Sequence, residues 1–261
     1  MNAHLASIVV YPVKACGGIS VDAWPVEPRG LRHDRRFMIV RPDGTFTTQR
    51  ERPELARIAT RFDGDALVLA APGVDPIAVP LAPAGGAPLD VAVWRDRVAA
   101  RTVSPAVDRW LSAALGEALR LVHFPDDAHR PLDPRYAEGE TAFADGYPLL
   151  VVGQASLDDL NARLAEPVPM DRFRPNLVVA GAAAFAEDGW REVAVGGVPI
   201  SIVKPCARCV VVTTDQRTGA RSPEPLRTLA TYRKVGHDVR FGQNAVPRAA
   251  GILRVGDAVV A

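Results

Sequence analysis

The chain has 261 residues, 23% of them charged, with 31 Lys and Arg against 30 Asp and Glu. It therefore carries no overall field to draw nucleic acid or an anionic membrane, and any anion site must be local. Its three cysteines are too sparse for a disulfide framework, which predicts reduced thiols, while the N-terminal Met-Asn-Ala-His-Leu-Ala-Ser lacks the basic segment and apolar run of a secretory signal.

No later stretch approaches the roughly 18 apolar residues of a membrane span, so a soluble, cytoplasmic protein is expected. In chain order, β-branched apolar runs bounded by Gly, Pro or Asp-Gly predict strands over Leu5 to Val13 and Phe37 to Arg41, the latter followed by a hairpin turn at Asp43-Gly44. Strands are predicted again over Ala66 to Ala70 and Val98 to Val103. Ser104-Pro105 then opens a helix in which Val107, Trp110, Leu111, Ala114, Leu115 and Leu119 share one face. Between Leu121 and Ala144 apolar periodicity fades into a stretch rich in Pro, Asp, His and Arg, which reads as a linker over 121–144.

Beyond it, Leu149 to Val152, Leu177 to Ala180, Val198 to Val203 and Val210 to Thr214 read as strands, with a second hairpin turn at Gly196-Gly197. Helices are expected after Ser156 and after Ser222-Pro223. Strands outnumber helices, strict strand-helix alternation is missing, and no glycine-rich dinucleotide fingerprint follows any strand. The predicted class is α+β and β-rich, with barrels or curled sheets carrying attached helices. The expected organisation is an N-terminal domain over 1–120 and a C-terminal domain over 145–261, with a cleft between them as the natural place for a cofactor.

The chemistry-bearing residues lie mostly at strand ends. Cys206 and Cys209 have the spacing of a zinc half-site or a thioredoxin-like pair. A structural zinc ion needs four ligands, and the only other cysteine is Cys16. A thioredoxin-type thiol draws on a helix N-terminus, whereas the Val-Val-Val-Thr-Thr after Cys209 is strand-like. Two readings stay open: a thiolate at a loop-to-strand junction whose pKa Lys204 and Arg208 lower, or two buried thiols packed as small hydrophobes. Lys14-Ala15-Cys16-Gly17-Gly18 ends a strand with a point charge beside glycines that let backbone N–H groups approach an anion, or is an ordinary turn with a solvated lysine. Arg29-Gly30-Leu31-Arg32-His33-Asp34-Arg35-Arg36-Phe37 and Arg172-Phe173-Arg174-Pro175-Asn176-Leu177 are cationic entries to strands, either solvated faces or parts of an anion site, the latter offering a guanidinium fork and an amide. Asp145-Gly146-Tyr147-Pro148 is either a ligand-facing turn with a candidate acid or only a turn, and Phe241-Gly242-Gln243-Asn244 is a polar loop.

Together these segments resemble the MOSC family, in particular its two-part members with an N-terminal MOSC-like domain, a group that includes the amidoxime-reducing components. The resemblance runs from Tyr-Pro-Val-Lys at 11–14 through Asp34-Arg35-Arg36-Phe37, Phe173-Arg174-Pro175-Asn176, Cys206-Ala207-Arg208-Cys209 with Thr213-Thr214-Asp215, and Phe241-Gly242-Gln243, to Val255-Gly256-Asp257. It implies a MOSC-type β-barrel beside a smaller β-rich domain, with a molybdenum cofactor (molybdopterin) in the cleft. Cys209 is then the metal ligand and a catalytic residue. The cofactor contacts it implies are Lys14, Ala15 (where relatives often carry Ser), Arg36, Gly146, Tyr147, Arg174, Asn176 and Arg208. Asp145 is the expected proton source and Cys206 a bystander. The implied activity is reduction of N-hydroxylated or N-oxide small molecules. Because the chain stops at Ala261 without a further cysteine cluster, the electrons are expected from a separate ferredoxin-like or flavin-reductase donor. The rival reading is a cofactor-binding or sulfur-carrier protein with a persulfide on Cys209.

Overall fold

A computed structural model describes residues 2–261. The first half of the chain is built from short antiparallel strands: β1 (His4–Val10), β2 (Ile19–Val21), β3 (Ala23–Glu27), β4 (Gly30–Leu31), β5 (Phe37–Val40), β6 (Ala59–Asp63), β7 (Ala66–Ala71), β8 (Val74–Pro80), β9 (Pro88–Val93) and β10 (Asp96–Thr102). Helix α1 (Pro105–Leu115) and strand β11 (Arg120–His123) complete this half. The Ser104 hydroxyl accepts from the Val107 N–H at the start of α1, as the Ser104-Pro105 signal predicted, whereas Gly116 in the left-handed region ends the helix before Leu119, which the sequence had placed on its face. One face of α1 buries Val107, Trp110 and Leu111 against the β6–β8 meander, in a core shared with Phe37, Leu67 and Leu69.

The second half adds β12 (Leu149–Gly153), α2 (Gln154–Asn161), β13 (Leu177–Ala180), β14 (Glu192–Val195), β15 (Val198–Arg208), α3 (Leu226–Tyr232), β16 (Lys234–Val235), β17 (Asp238–Pro247), β18 (Gly251–Arg254) and β19 (Val259–Val260). One long sheet runs in the order β19-β14-β15-β17-β12-β13-β1-β2. The fold is thus strand-rich, with three α-helices among the described residues, none of them long and apolar enough to cross a membrane.

The halves are interwoven. Strand β1 pairs with β13, and β18 returns to pair with β3, so the first strands of the chain belong to sheets of the second half. Leu5, Ile8 and Val10 are buried in the same core as Leu149, Ile200 and Leu253, and that apolar area holds the interweaving together.

Three local expectations change. The segment from 121 begins inside a strand: Leu121 to His123 pair with Ile39 to Phe37, and Phe124 and Phe143 meet edge to face at 5.3 Å in a buried cluster. Arg130 fixes the remaining irregular chain from within, donating to Ala142 O at 2.9 Å and Asp96 Oδ2 at 2.8 Å, so the stretch is a packed connection despite its polar composition. Val210 to Thr214 does not form a strand. The β15–β17 ladder ends at Arg208 opposite Val239, and without a further partner strand Val210–Thr213 close a 3₁₀ turn that buries Val212 and Thr213. The third helix starts at Leu226, after Pro225, and α2 starts at Gln154 with Ser156 inside it, its hydroxyl donating to the buried Glu187 carboxylate at 2.8 Å.

Candidate functional site

Two bulges aim the cysteine-bearing end of β15. Register shifts occur between Ile202 and Lys204 and between Pro205 and Ala207, the second opposite Phe241-Gly242 on β17. Gly242 has φ 76°, and a Cβ there would meet the Val151 carbonyl oxygen at 2.9 Å and a Val152 methyl at 2.7 Å, so the bulge requires glycine. The resulting twist turns residues 204–209 into a cavity of about 380 Å³ between the two halves.

Lys14, Ala15, Arg35, Arg174, Arg208 and Cys209 all line this cavity, as do Asp145, Gly146, Tyr147 and Asn176. Arg36 does not. Its guanidinium points away, donating to Phe124 O at 2.8 Å and Asp126 Oδ1 at 2.5 Å. Both residues precede β5: Arg35 closes a turn in the left-handed region, and it is Arg35 that faces the cleft. The expectation for Arg36 is corrected to Arg35.

Arg35 and Arg174 lie on the Tyr11 ring, each 4.3 Å from its centroid, and both adopt positive φ, 48° and 55°. Arg35 is paired with buried Asp34. Arg174 has no carboxylate partner among the described residues; its Nη1 donates to Gln216 Oε1 at 3.1 Å, and burial works against its charge, lowering its pKa. Gln216 and Gln49 exchange reciprocal amide hydrogen bonds at 3.0 Å, and Gln49 also donates to Ala15 O at 2.6 Å, clasping the two halves beneath the cavity.

Asn176 is spent internally. Its amide donates to Val9 O and Asp34 Oδ1, both at 3.1 Å, and its oxygen accepts from Leu150 N at 3.2 Å, so it positions the strands around the site and has no N–H left for a ligand. Lys14 is only 6% exposed; it donates to Phe143 O at 2.8 Å and pairs with Asp145. Partial desolvation in the cleft opposes the charge on Asp145, but the adjoining Lys14 ammonium outweighs it, and the Trp94 indole N–H adds a hydrogen bond at 3.1 Å, so the carboxyl titrates well below the usual range. A carboxylate held in this way accepts hydrogen bonds at neutral pH; it does not hold a proton for delivery.

Cys209 is half-buried at the end of β15 with extended backbone, φ −124°. The cationic neighbour expected to activate it touches the other thiol: Arg208 Nη1 lies 3.0 Å from Cys206 Sγ, while its Nη2 donates to Phe173 O at 2.7 Å. Six cationic side chains line the cavity (Lys14, Arg35, Arg50, Arg174, Lys204 and Arg208) against one carboxylate, Asp145. Two of its lining residues also carry buried polar atoms with no hydrogen-bond partner among the described residues, Tyr147 Oη and Arg208 Nε. Surplus cations, orphaned donors and a half-exposed thiol together form a site suited to an anionic ligand with soft-metal character.

Sequence reasoning missed Arg50, Thr48, Gln49 and Trp94, which also line the cavity. Nothing in the sequence marked them: Thr47-Thr48-Gln49 is a polar run just after an apolar strand, and only the structure shows it buried.

Two interwoven β-barrel-like halves closing over a cationic, cysteine-bearing cleft define a two-module protein with an anion site at the module junction. Residues 2–118 match the MOSC N-terminal beta barrel domain and residues 138–260 match the MOSC domain. The chain is 34% identical to human "Mitochondrial amidoxime-reducing component 1" over 98% of its own length and 82% of that protein's. It is 35% identical to rat "Mitochondrial amidoxime reducing component 2" with the same coverage, and 32% identical to the bovine component 2, again over 98% and 82%. The chain belongs to the MOSC family, in the branch that pairs both modules.

Proposed function

We propose that the protein is a molybdenum-cofactor-dependent reductase of N-hydroxylated or N-oxide small molecules. The observation that carries this reading is the Cys209 thiol in a cavity whose cations exceed its carboxylates six to one. Arg174 and Arg35, sharing the Tyr11 ring, would hold the phosphate of molybdopterin, Tyr147 and Arg208 would satisfy its polar edge, and Cys209 would ligate the metal. When bound, that group supplies the two-electron redox chemistry.

Reducing an N–OH bond to N–H with release of water consumes two electrons and two protons. The relatives are named as components, and an external donor for the electrons agrees with that. The chain's own part is to orient: the Lys14–Asp145 pair forms part of one wall, and the exposed Asp145 carboxylate offers an acceptor to substrate N–H or O–H groups. The Arg208 contact falls on Cys206, so the geometry lends no support to a persulfide held specifically on Cys209.

Protein from a host able to make the cofactor is expected to contain molybdenum and pterin near one per chain, and to reduce benzamidoxime with an artificial electron donor. Cys209→Ala should lose both the metal and the activity. Wild-type protein free of molybdenum, with a stable 32-dalton adduct on Cys209, would establish the sulfur-carrier reading instead.

A further inference from the structure

Trp94 sits where folding alone has little use for it. The β9–β10 hairpin pairs Val93 with Asp96, leaving Trp94-Arg95 as a two-residue turn. Trp94 occupies φ 56°, the left-handed region that such turns normally fill with Gly or Asn. A bulky aromatic there is strained, and the residue is 39% exposed, so burial does not compensate for the strain. Its surroundings explain where it points. It lines the cavity, its N–H donates to Asp145 Oδ1 at 3.1 Å, and its edge is braced by Phe46 at 4.9 Å.

One face of the ring carries a movable cover. The Arg50 guanidinium lies 4.4 Å from the ring centroid, is exposed, and makes no ion pair among the described residues. A planar, delocalised group is therefore already accommodated on this face, and an arginine so weakly held can swing aside. Beside the ring, Asp145 Oδ1 serves Lys14 and Trp94, while Oδ2 accepts no hydrogen bond from any described residue. A flat π-surface next to a free carboxylate oxygen is complementary to a planar C–N group that bears N–H and is conjugated to a ring.

We propose that Trp94 is a substrate-recognition residue that selects planar, aryl-conjugated N-hydroxylated substrates over aliphatic ones, with Arg50 as the displaceable cover of its ring. The proposal rests on the reductase reading and adds the substrate class and the residue that sets it. The amidoxime carbon and its nitrogens lie in the plane of an attached aryl ring. The ring stacks on Trp94 and an N–H reaches Asp145 Oδ2.

The test compares kcat/KM for benzamidoxime and acetamidoxime in cofactor-loaded protein. In Trp94→Ala the aryl-to-alkyl ratio should fall about three- to tenfold, the range an aromatic pair contributes, mainly through KM for benzamidoxime. Trp94→Phe should keep the ratio within about twofold, and Arg50→Ala, which uncovers the ring, should raise it. Equal losses on both substrates would reduce Trp94 to a structural support of Asp145 and overturn the proposal, as would an unchanged ratio. Intrinsic fluorescence provides a readout independent of turnover. Benzamidoxime should quench wild-type protein more than Trp94→Phe, and equal quenching in the two would refute the stacking. If loaded wild-type protein reduces neither substrate, the reductase reading fails, and the fluorescence comparison still decides whether Trp94 binds the aryl group.

Discussion

Replacing Asp34 with alanine removes one carboxylate and strands three donors. Asp34 is 5% exposed; it accepts from the Tyr11 N–H at 2.7 Å and from Asn176 Nδ2 at 3.1 Å, and pairs with Arg35. Burial pushes its carboxyl pKa up, against the pull of Arg35 and of the Tyr11 and Asn176 donors, which favour the ionised form. A pair of this kind adds little net stability, yet removing one member leaves the other charge uncompensated, here Arg35 with a side chain only 13% exposed. The expected loss for Asp34→Ala is about 3–5 kcal/mol, which in a chain of 261 residues lowers Tm by roughly 10 °C. Asp34→Asn keeps the shape and one acceptor but turns an amide N–H₂ toward Arg35, so it should lose about half as much. Denaturant unfolding of wild type, Asp34→Asn, Asp34→Ala and Arg35→Ala/Asp34→Ala checks the order. The double variant should be more stable than the sum of its parts, because it strands no charge. An Asp34→Ala protein within about 1 kcal/mol of wild type would refute the reasoning, since no stranded charge would then exist.

Three further outcomes follow from the geometry. Arg35→Ala or Arg174→Ala should cut cofactor retention by about ten- to a hundredfold, the worth of one charge-assisted contact, while Arg36→Ala should retain it; pterin content after gel filtration reads the difference. Burial beside Phe37, with the charge of Arg36, lowers the His123 pKa from 6.5 to about 4, so between those values the unfolded chain takes up a proton that the folded chain refuses. Stability should therefore fall by up to about 3 kcal/mol as pH drops through that window and be indifferent to this group above it, and His123→Leu should flatten the slope in urea titrations at pH 7 and pH 4.5. Gly242→Ala places a Cβ against the Val151 carbonyl at φ 76° and should cost about 2 kcal/mol or more, with partial loss of cofactor as the β15 bulge shifts; an unfolding midpoint unchanged from wild type would contradict the role of the bulge.

Wherever one local rule decides the outcome, the sequence was legible. β-branched runs marked Leu149 to Val152, within β12, and Leu177–Ala180, Ser104-Pro105 opened α1, and Gly196-Gly197 closed a two-residue turn with φ of 56° and 83° between Val195 and Val198. Wherever a partner from elsewhere decides, it was not. Val210 to Thr214 has strand propensity and no strand to pair with. Arg35 and Arg36 are adjacent and chemically identical, and only the direction of entry into β5, with Phe124 O and Asp126 waiting on one side, chooses between them. Trp94 and Gln49 join the site through the tip of one hairpin and the loop after β5, at positions that carry no motif.

The same distinction bears on how firmly the candidate site is assembled. Lys14 and Cys209 are 195 residues apart, and in a chain of two separable lobes their approach would depend on how the lobes happened to dock. Here β1 is a strand of the long sheet: Val9 N–H donates to Asn176 O at 2.8 Å, and Leu5 and Ile8 pair with Val179 and Leu177 on β13. Four residues beyond β1, the Lys14 N–H donates to Phe37 O at 2.8 Å in the other half. Backbone ladders thus carry Lys14 from the sheet that bears Cys209 into the half that bears Arg35, and the buried Asp34–Asn176 contact ties the two again beneath the cavity. Opening the cleft would break main-chain hydrogen bonds in a core where Leu5, Ile8 and Val10 are fully buried, so the cationic wall and the thiol are held by the fold itself, and access is left to side chains at the rim such as Arg50.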